Sequence, residues 1–291
     1  MTKVSRFMAM CTIGVALAVF SITSTAQTYT TVDFPGAVAT TLNGGPNPQD
    51  TSVGSYTDTS NVTHGFTLTK KDVFTSFDPP GSTGTTPNFI TPQGVIVGGY
   101  LDSSGVSHGF ILDNGQYTTV DFPGAAGTVL TGRNPAGEMS GFSCAVASCA
   151  SAPFHSFTVS KRRAFTSFDP PGAVSSTAST VTPSGAVVGA YTDSKGVTHG
   201  YLLFHGKFAT IDFPDSIFTF AGGNNPEGDI IGEYIDTANV AHSWLLSNGV
   251  FTSFDPPGAT LSDASGINPG GIIVGIYVDI AGAVHGYIRT P

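Results

Sequence analysis

Six histidines recur at a fixed place in the sequence, each followed by Gly or Ser and then by an aromatic residue. Imidazoles bind metal ions and act as general bases, so a regular set of six suggests both kinds of chemistry. A catalytic site, however, needs one asymmetric arrangement, whereas a feature present in every repeat usually has the same structural role in each. We therefore predict structural histidines, each hydrogen-bonded to a neighbouring turn or strand in a half-buried position. They are His64, His108, His155, His199, His242 and His285.

Five aspartates open short turns of the form Asp-x-x-Gly or Asp-x-x-Asn, and exported repeat proteins often bind calcium through such residues. One aspartate per turn does not supply the six or more oxygens that calcium needs. The simpler interpretation is that each carboxylate accepts N–H groups of its own turn, while Gly or Asn supplies the left-handed conformation at the turn's end. We therefore expect no metal and no cofactor, with calcium as the remaining alternative. The aspartates are Asp58, Asp102, Asp193, Asp236 and Asp279, and the turn-ending residues are Asn61, Gly105, Gly196, Asn239 and Gly282.

No catalytic motif is present: the sequence has no Ser or Cys in a nucleophile elbow, no Gly-rich phosphate loop and no His-Glu-x-x-His. In a repetitive sequence the departures from the repeat are informative instead. Arg133 is the lone charge at a mostly apolar position. Unit five contributes the only tryptophan, Trp244, together with Glu233 and the extra aromatics Phe218 and Phe220. We predict these five as ligand-binding residues, with surface drift as the alternative.

The repeat itself is a unit of 43 to 48 residues that occurs six times between Tyr29 and Pro291. Each unit contains four short apolar or alternating segments separated by Pro- and Gly-containing turns, and none has a helical period. Such a unit is typical of one blade of a β-propeller. The sequence thus predicts an all-β fold, a six-bladed β-propeller of four-stranded antiparallel blades, in preference to a β-solenoid. An aspartate begins the link between units: Asp33, Asp78, Asp121, Asp169, Asp212 and Asp255.

The position of the repeat relative to the ring can also be predicted. Each unit contains one strand that is almost wholly apolar and is therefore expected to be covered on both faces. If this strand is second in its blade, the segment Tyr29 to Phe34 is an outermost strand and cannot belong to the blade that follows it. It should complete the last blade, with residues 259–289, and so close the ring. The Asp-x-x-Gly turns and the aspartate links should then share one acidic face.

The first 26 residues have the features of a secretory signal peptide. Lys3 and Arg6 precede an apolar run over residues 7–22, and small residues lead to a cleavage site after Ala26. A retained membrane anchor is the alternative, but the run is short for a span. We therefore expect a single domain over residues 27–291, secreted or periplasmic, with no membrane span after cleavage.

Charge and cysteine content narrow the partners further. Loss of Lys3 and Arg6 takes the formal net charge from −9 to −11, which argues against nucleic acid as a partner. Cys144 and Cys149, both in an insertion of unit three, should form a disulfide in an exported protein. A metal or redox role for this pair is the alternative.

The segment from Ile267 to Tyr277, followed by His285-Gly286-Tyr287, resembles the bacterial extracellular repeat called the HAF repeat. The same frame returns six times and covers residues 27–291, with His-Gly or His-Ser in place of the usual His-Ala. The resemblance implies an exported, propeller-like protein and brings no reaction, cofactor or catalytic residue. We expect a non-enzymatic binding or scaffold module for an extracellular glycan or protein. The alternative is a propeller hydrolase or lyase acting on a carbohydrate or lactone, with carboxylates from different blades about 5–10 Å apart.

Overall fold

The computed structural model describes residues 27–291, so the proposed signal peptide lies outside the described residues. Within that range the chain is built of strands and turns, with no helix. No helix that could span a membrane is therefore found in residues 27–291. The predicted all-β fold class is confirmed.

The strands form six groups of four, which we number as sheets one to six in chain order. Sheet one contains β2 (Ala39–Gly44), β3 (Ser52–Thr57), β4 (Thr63–Leu68) and β5 (Phe74–Phe77). Sheet two contains β6 (Gly84–Ile90), β7 (Ile96–Leu101), β8 (Ser107–Asp113) and β9 (Gln116–Val120). Sheet three contains β10 (Gly127–Arg133), β11 (Met139–Cys144), β12 (Phe154–Val159) and β13 (Phe165–Phe168). Sheet four contains β14 (Ala173–Val181), β15 (Val187–Asp193), β16 (Thr198–Phe204) and β17 (Lys207–Ile211). Sheet five contains β18 (Phe218–Asn224), β19 (Ile230–Ile235), β20 (Ala241–Ser247) and β21 (Val250–Phe254). Sheet six contains β22 (Ala259–Ile267), β23 (Ile273–Asp279), β24 (Val284–Thr290) and β1 (Thr28–Val32).

Sheet six takes its fourth strand from the other end of the sequence. β1 pairs antiparallel with β24, with Tyr29 opposite Arg289 and Val32 opposite Gly286. Sheets one and six are also joined by one parallel contact, so that together they form a continuous eight-stranded sheet. The other four sheets are separate and antiparallel throughout.

The apolar core lies between neighbouring sheets. One cluster joins sheet two to sheet three around Val97 and Leu130, and another joins sheet six to sheet one around Val274 and Leu42. Equivalent clusters lie between every other neighbouring pair. The third strand of each sheet contributes one large aromatic ring that is at most 1% exposed. These rings belong to Phe66, Phe110, Phe157, Tyr201, Trp244 and Tyr287.

Five of the six buried rings lie directly against a glycine of the neighbouring strand. A Cβ on Gly54 would lie 2.8 Å from the ring of Phe66, and one on Gly98 would lie 2.8 Å from the ring of Phe110. Both glycines also face a backbone oxygen of the first strand at a separation that no Cβ could occupy. The Gly of the apolar second strand is therefore required by close packing.

The Asp-x-x-Gly and Asp-x-x-Asn turns have the predicted geometry. Asp58 Oδ1 accepts the N–H groups of Ser60 at 2.8 Å and Val62 at 2.9 Å. Asn61 has a φ of 61°, in the left-handed region, as the turn requires. The same pattern recurs at the other four aspartates. The interpretation of these residues as turn caps is confirmed.

Candidate functional site

The first strands of all six sheets contribute to one central channel. A cavity of about 190 Å³, which we call the interior, is lined by residues of β2, β6, β10, β14, β18 and β22. A second cavity of about 150 Å³, which we call the mouth, is lined by the ends of these strands and the turns that follow them. Thr180 and Ser265 line both cavities, so the mouth and the interior are successive levels of the same channel.

The mouth is mainly apolar because every turn around it contributes a proline. Side chains of Phe89, Ile90, Val181 and Ile267 add to this surface. A concave apolar surface with a few polar groups is the usual form of a ligand site. The six turn prolines are Pro48, Pro92, Pro135, Pro183, Pro226 and Pro269.

Among residues 27–291, Arg133 at the end of β10 is the one charged residue that lines the mouth. Its side chain is half-buried, and partial burial lowers its pKa from the ordinary value of 12.5. An arginine keeps its charge at neutral pH nevertheless. It makes no salt bridge or side-chain hydrogen bond with any residue of the range 27–291. An unpaired guanidinium beside apolar walls can bind a carboxylate or another planar anion.

The interior is built on a β-bulge in each first strand. The extra residue of a bulge leaves the ladder, so its side chain can point away from its own strand. In sheets one to four this residue donates a hydrogen bond to a backbone carbonyl of the first strand in the next sheet. The four bonds run from Asn43 to Pro87 at 2.9 Å, from Asn88 to Leu130 at 2.8 Å, from Thr131 to Ala178 at 2.7 Å, and from Ser179 to Ala221 at 2.8 Å.

Sheet five interrupts this chain of bonds because its bulge residue is Gly222. A Cβ on Gly222 would lie 2.7 Å from the backbone oxygen of Ala264 and 3.5 Å from the ring of Phe220. The interior next to sheet six is therefore lined by Gly222, which has no side-chain donor, and by the ring of Phe220.

Asp263, on β22, lies in the interior directly after this interruption. The equivalent positions in the other sheets are uncharged: Thr41, Thr86, Val129, Thr177 and Phe220. Asp263 Oδ1 is fully enclosed and has no hydrogen-bond partner among residues 27–291. The rest of the side chain keeps some access to the channel. Burial raises the pKa of Asp263 to about 6.

Glu233, on β19, is a second carboxyl group close to this position. Burial raises its pKa to about 8, and the negative charge of Asp263 contributes to the same shift. At neutral pH Asp263 is therefore mostly ionised while Glu233 is mostly protonated. Two carboxyl groups with separated pKa values are an arrangement that can also serve acid–base chemistry.

The five residues predicted to bind a ligand do not come together at one place. Arg133 lies at the mouth, and Phe220 lines the interior. Glu233 is paired with Phe220 across the ladder, and Phe218 is at the far end of β18 opposite Ile235. Trp244 is 0% exposed in the core between sheets four and five, where it presents no surface to a ligand. Asp263 was missed, although its charge at a repeat position otherwise occupied by uncharged residues is visible in the sequence.

The repeated histidines lie away from the channel, on the face that carries the turn and link aspartates. The Nδ1 atom of each ring is 2.7–3.0 Å from a carboxylate oxygen of a link aspartate. In five of the six, Nε2 is also 3.5–3.8 Å from a turn aspartate, and the ring stacks on a tyrosine. The hydrogen bond to Asp78 is the main cause that raises the pKa of His64. These contacts describe a structural clamp between the third strand and the following link.

Sheet three is the exception among the histidine clamps. It has Ser143 in place of the tyrosine, and His155 has no turn aspartate beside it. The side chain of His155 is 51% exposed, against 22% for His108. The turn at this place is replaced by a loop in which Cys144 and Cys149 form a disulfide.

Within residues 27–291, no three His, Cys, Asp or Glu side chains converge so as to hold a metal ion. The carboxylate of each turn aspartate is engaged by N–H groups, and the bond from Val62 is the main cause that lowers the pKa of Asp58.

No protein-family model matches the chain, and no curated protein sequence matches it. Solved structures, however, share its architecture. Virginiamycin B lyase from Staphylococcus aureus is 9% identical with a TM-score of 0.55, covering 91% of this chain and 100% of the lyase. A fungal lectin from Aleuria aurantia, described as a six-bladed β-propeller with a novel mode of fucose recognition, is 10% identical with a TM-score of 0.52, covering 85% of this chain and 90% of the lectin.

The β-propeller domain of the Trilobed protease from Pyrococcus furiosus is 9% identical with a TM-score of 0.53, covering 87% of this chain and 95% of the domain. These proteins include a lyase, a lectin and a part of a protease, so the likeness carries no common activity. At such low identity the comparison establishes the fold alone. The chain has a β-propeller fold.

Proposed function

We propose that the protein is an exported, non-enzymatic binding module built as a six-bladed β-propeller that is closed by its N-terminal strand. The pairing of β1 with β24 and the apolar clusters between every neighbouring pair of sheets support the closed ring. The apolar run that ends before Ala26 supports export, and the returning His-Gly-aromatic strand supports membership of the HAF-type repeat family.

The observation that carries the proposal is Arg133 at the mouth. The mouth offers apolar walls and one unpaired positive charge, so it suits an apolar group that carries a carboxylate. An extracellular protein with an apolar C-terminus has both features, the apolar side chain and the carboxylate. The end of an acidic glycan has the carboxylate but is mostly polar. We favour the protein terminus because a glycan would leave most of its hydroxyl groups without partners on these walls.

A matched pair of probes tests the mouth: 3-phenylpropanoate and the neutral 3-phenylpropan-1-ol, titrated by calorimetry. The carboxylate should bind the wild type at least tenfold more tightly, because a hydrogen bond between charged groups contributes about 1.5–3 kcal/mol. Arg133→Gln should abolish this preference. Arg163→Gln is the control, since it removes a charge that acts on Arg133 from outside the mouth. Equal binding of the two probes to the wild type would refute the proposal.

One observation favours the second candidate, a hydrolase or lyase acting on a carbohydrate or lactone. Glu233 and Asp263 come from neighbouring sheets and have separated pKa values, as an acid and a base require. Turnover of a glycoside or lactone that is lost in Glu233→Gln would establish this candidate. We expect no turnover, because the sequence contains no catalytic motif.

A further inference from the structure

The interior of the channel contains a charge that has no counter-charge. Asp263 is the only charged residue that lines it, and Oδ1 of its carboxylate has no hydrogen-bond partner among residues 27–291. A carboxylate without a partner is costly in a folded protein. Oδ1 itself is enclosed, so a cation in the channel would meet the carboxylate through the part of the side chain that keeps access to the channel.

The surroundings of Asp263 favour a cation with an organic part. The ring of Phe220 lies over Gly222 beside the same cavity, and an aromatic face attracts ammonium groups. Among the other interior side chains, Asn88 and Thr131 direct their donors to backbone carbonyls, and all the others of residues 27–291 that line the cavity are uncharged, so none supplies a counter-charge to the carboxylate. No additional carboxylate of the described range 27–291 lines the cavity, so a calcium ion would lack most of its carboxylate ligands.

The size of the interior is sufficient for such a ligand. An engineered cavity of about 150 Å³ in another protein holds benzene. The interior measures about 190 Å³ and opens to the mouth. A short alkyl chain could therefore extend from Asp263 along the channel toward the apolar walls.

We propose that the interior of the channel binds the primary ammonium group of a small amine, with Asp263 as its counter-charge and Phe220 against its alkyl chain. This site goes beyond the proposed function, because it uses residues of the interior and is independent of Arg133. Two groups face Asp263 from other strands, Glu233 on β19 and Tyr287 on β24, and both are neutral at pH 7. The carboxylate of Asp263 is therefore the charge that an ammonium group would meet.

Calorimetry with n-butylammonium chloride tests this site, with sodium chloride and n-butanol as separate controls. The amine should bind the wild type, and Asp263→Asn should weaken it at least tenfold because a charge-assisted hydrogen bond is lost. Thr177→Val is the matched variant, since it changes the equivalent repeat position of sheet four, which does not line the cavity and at which sheet three already has Val129. Thr177→Val and Arg133→Gln should both leave amine binding unchanged, which separates this site from the mouth.

A second measurement uses only the wild type. Binding of n-butylammonium should weaken as the pH falls through about 6, because Asp263 becomes protonated there. The proposal would be overturned if the amine does not bind, or if Asp263→Asn binds it as tightly as the wild type. It would also be overturned if sodium displaces the amine at equal concentration, or if the affinity does not change across this pH range. Sodium displacement at equal concentration would identify a site for inorganic cations in its place.

Discussion

Asp33 Oδ1 lies 2.7 Å from Nδ1 of His285, although the two residues are 252 positions apart in the sequence. Each of the other five histidines makes the same contact with an aspartate 13 or 14 residues after it. In the other sheets this histidine–aspartate contact joins the third strand to the link that follows it in the sequence. In sheet six the same contact joins the two ends of the described chain. Tyr29 packs against Tyr287 at the same seam, with ring centroids 6.3 Å apart.

Removal of residues 27–35 should lower the melting temperature by roughly 10 °C or more. The deletion exposes the edge of β24 and removes Val32, which is 6% exposed, from the core between sheets six and one. Asp33→Asn, which leaves the strand in place, should cost only a few degrees. Differential scanning calorimetry of the three proteins measures both effects. Melting of the truncated protein at the wild-type temperature would show that β1 does not close the ring.

His108→Ala should destabilise the protein by about 1–3 kcal/mol, because Asp121 loses its hydrogen-bond partner and Tyr100 loses the ring stacked on it. His155→Ala should cost clearly less, since His155 is more exposed and has neither the turn aspartate nor the stacked tyrosine. Urea denaturation of both variants tests this order. Equal losses would mean that the second aspartate and the tyrosine contribute nothing to the clamp.

Stability should be greatest in acidic solution, at a pH of about 4. Glu233 has a folded-state pKa of about 8, above its ordinary 4.5, and Asp263 has one of about 6, above its ordinary 3.8. The unfolded state therefore loses both protons first, and stability falls as pH rises through these two windows. The raised pKa of His64 acts in the same direction above 6.5. The lowered pKa of Asp58 and the other turn aspartates acts oppositely, since their contribution is lost as pH falls below 3.8.

Glu233→Gln isolates one contribution to this profile. The variant should lose less stability than the wild type between pH 5 and 8, because an amide has no proton to release. Chemical denaturation at several pH values gives the two slopes. Parallel profiles would mean that Glu233 titrates near its ordinary value in the folded protein.

Native protein should contain no free thiol from Cys144 or Cys149, because the two residues form a disulfide with Cα atoms 5.3 Å apart. Alkylation before and after reduction, followed by mass spectrometry, measures this. Reduction should loosen only the loop between β11 and β12, since the bond closes a short stretch of chain. Labelling of both cysteines without reduction would contradict the assignment.

The parts of the structure that follow from local sequence could be predicted. Asp58 caps its own turn and Asn61 ends it in the left-handed conformation, and both facts depend on neighbours within four residues. Trp244 was predicted to bind a ligand because it is the only tryptophan in the sequence, but the structure places it in the core. Its repeat position holds Phe66 and Phe110 in other sheets, and all three are fully buried.

The channel could not be predicted in the same way because it depends on contacts between sheets. Arg133 was identified as a departure from the repeat, but the sequence did not show that turns from six sheets surround it. The surroundings of Asp263 in the interior include Gly222 and Phe220, which belong to the preceding sheet. An alignment of the six units at the bulge residue would have drawn attention to it.

The most direct test of the account is a crystal structure of the protein with 3-phenylpropanoate bound. We predict six four-stranded blades closed by β1, with the carboxylate against the guanidinium of Arg133 and the phenyl ring among the prolines of the mouth. Density for the probe on the acidic face or between two blades, with Arg133 unoccupied, would contradict the proposed binding site. A ring that is open between β1 and β24 would contradict the fold on which that site depends.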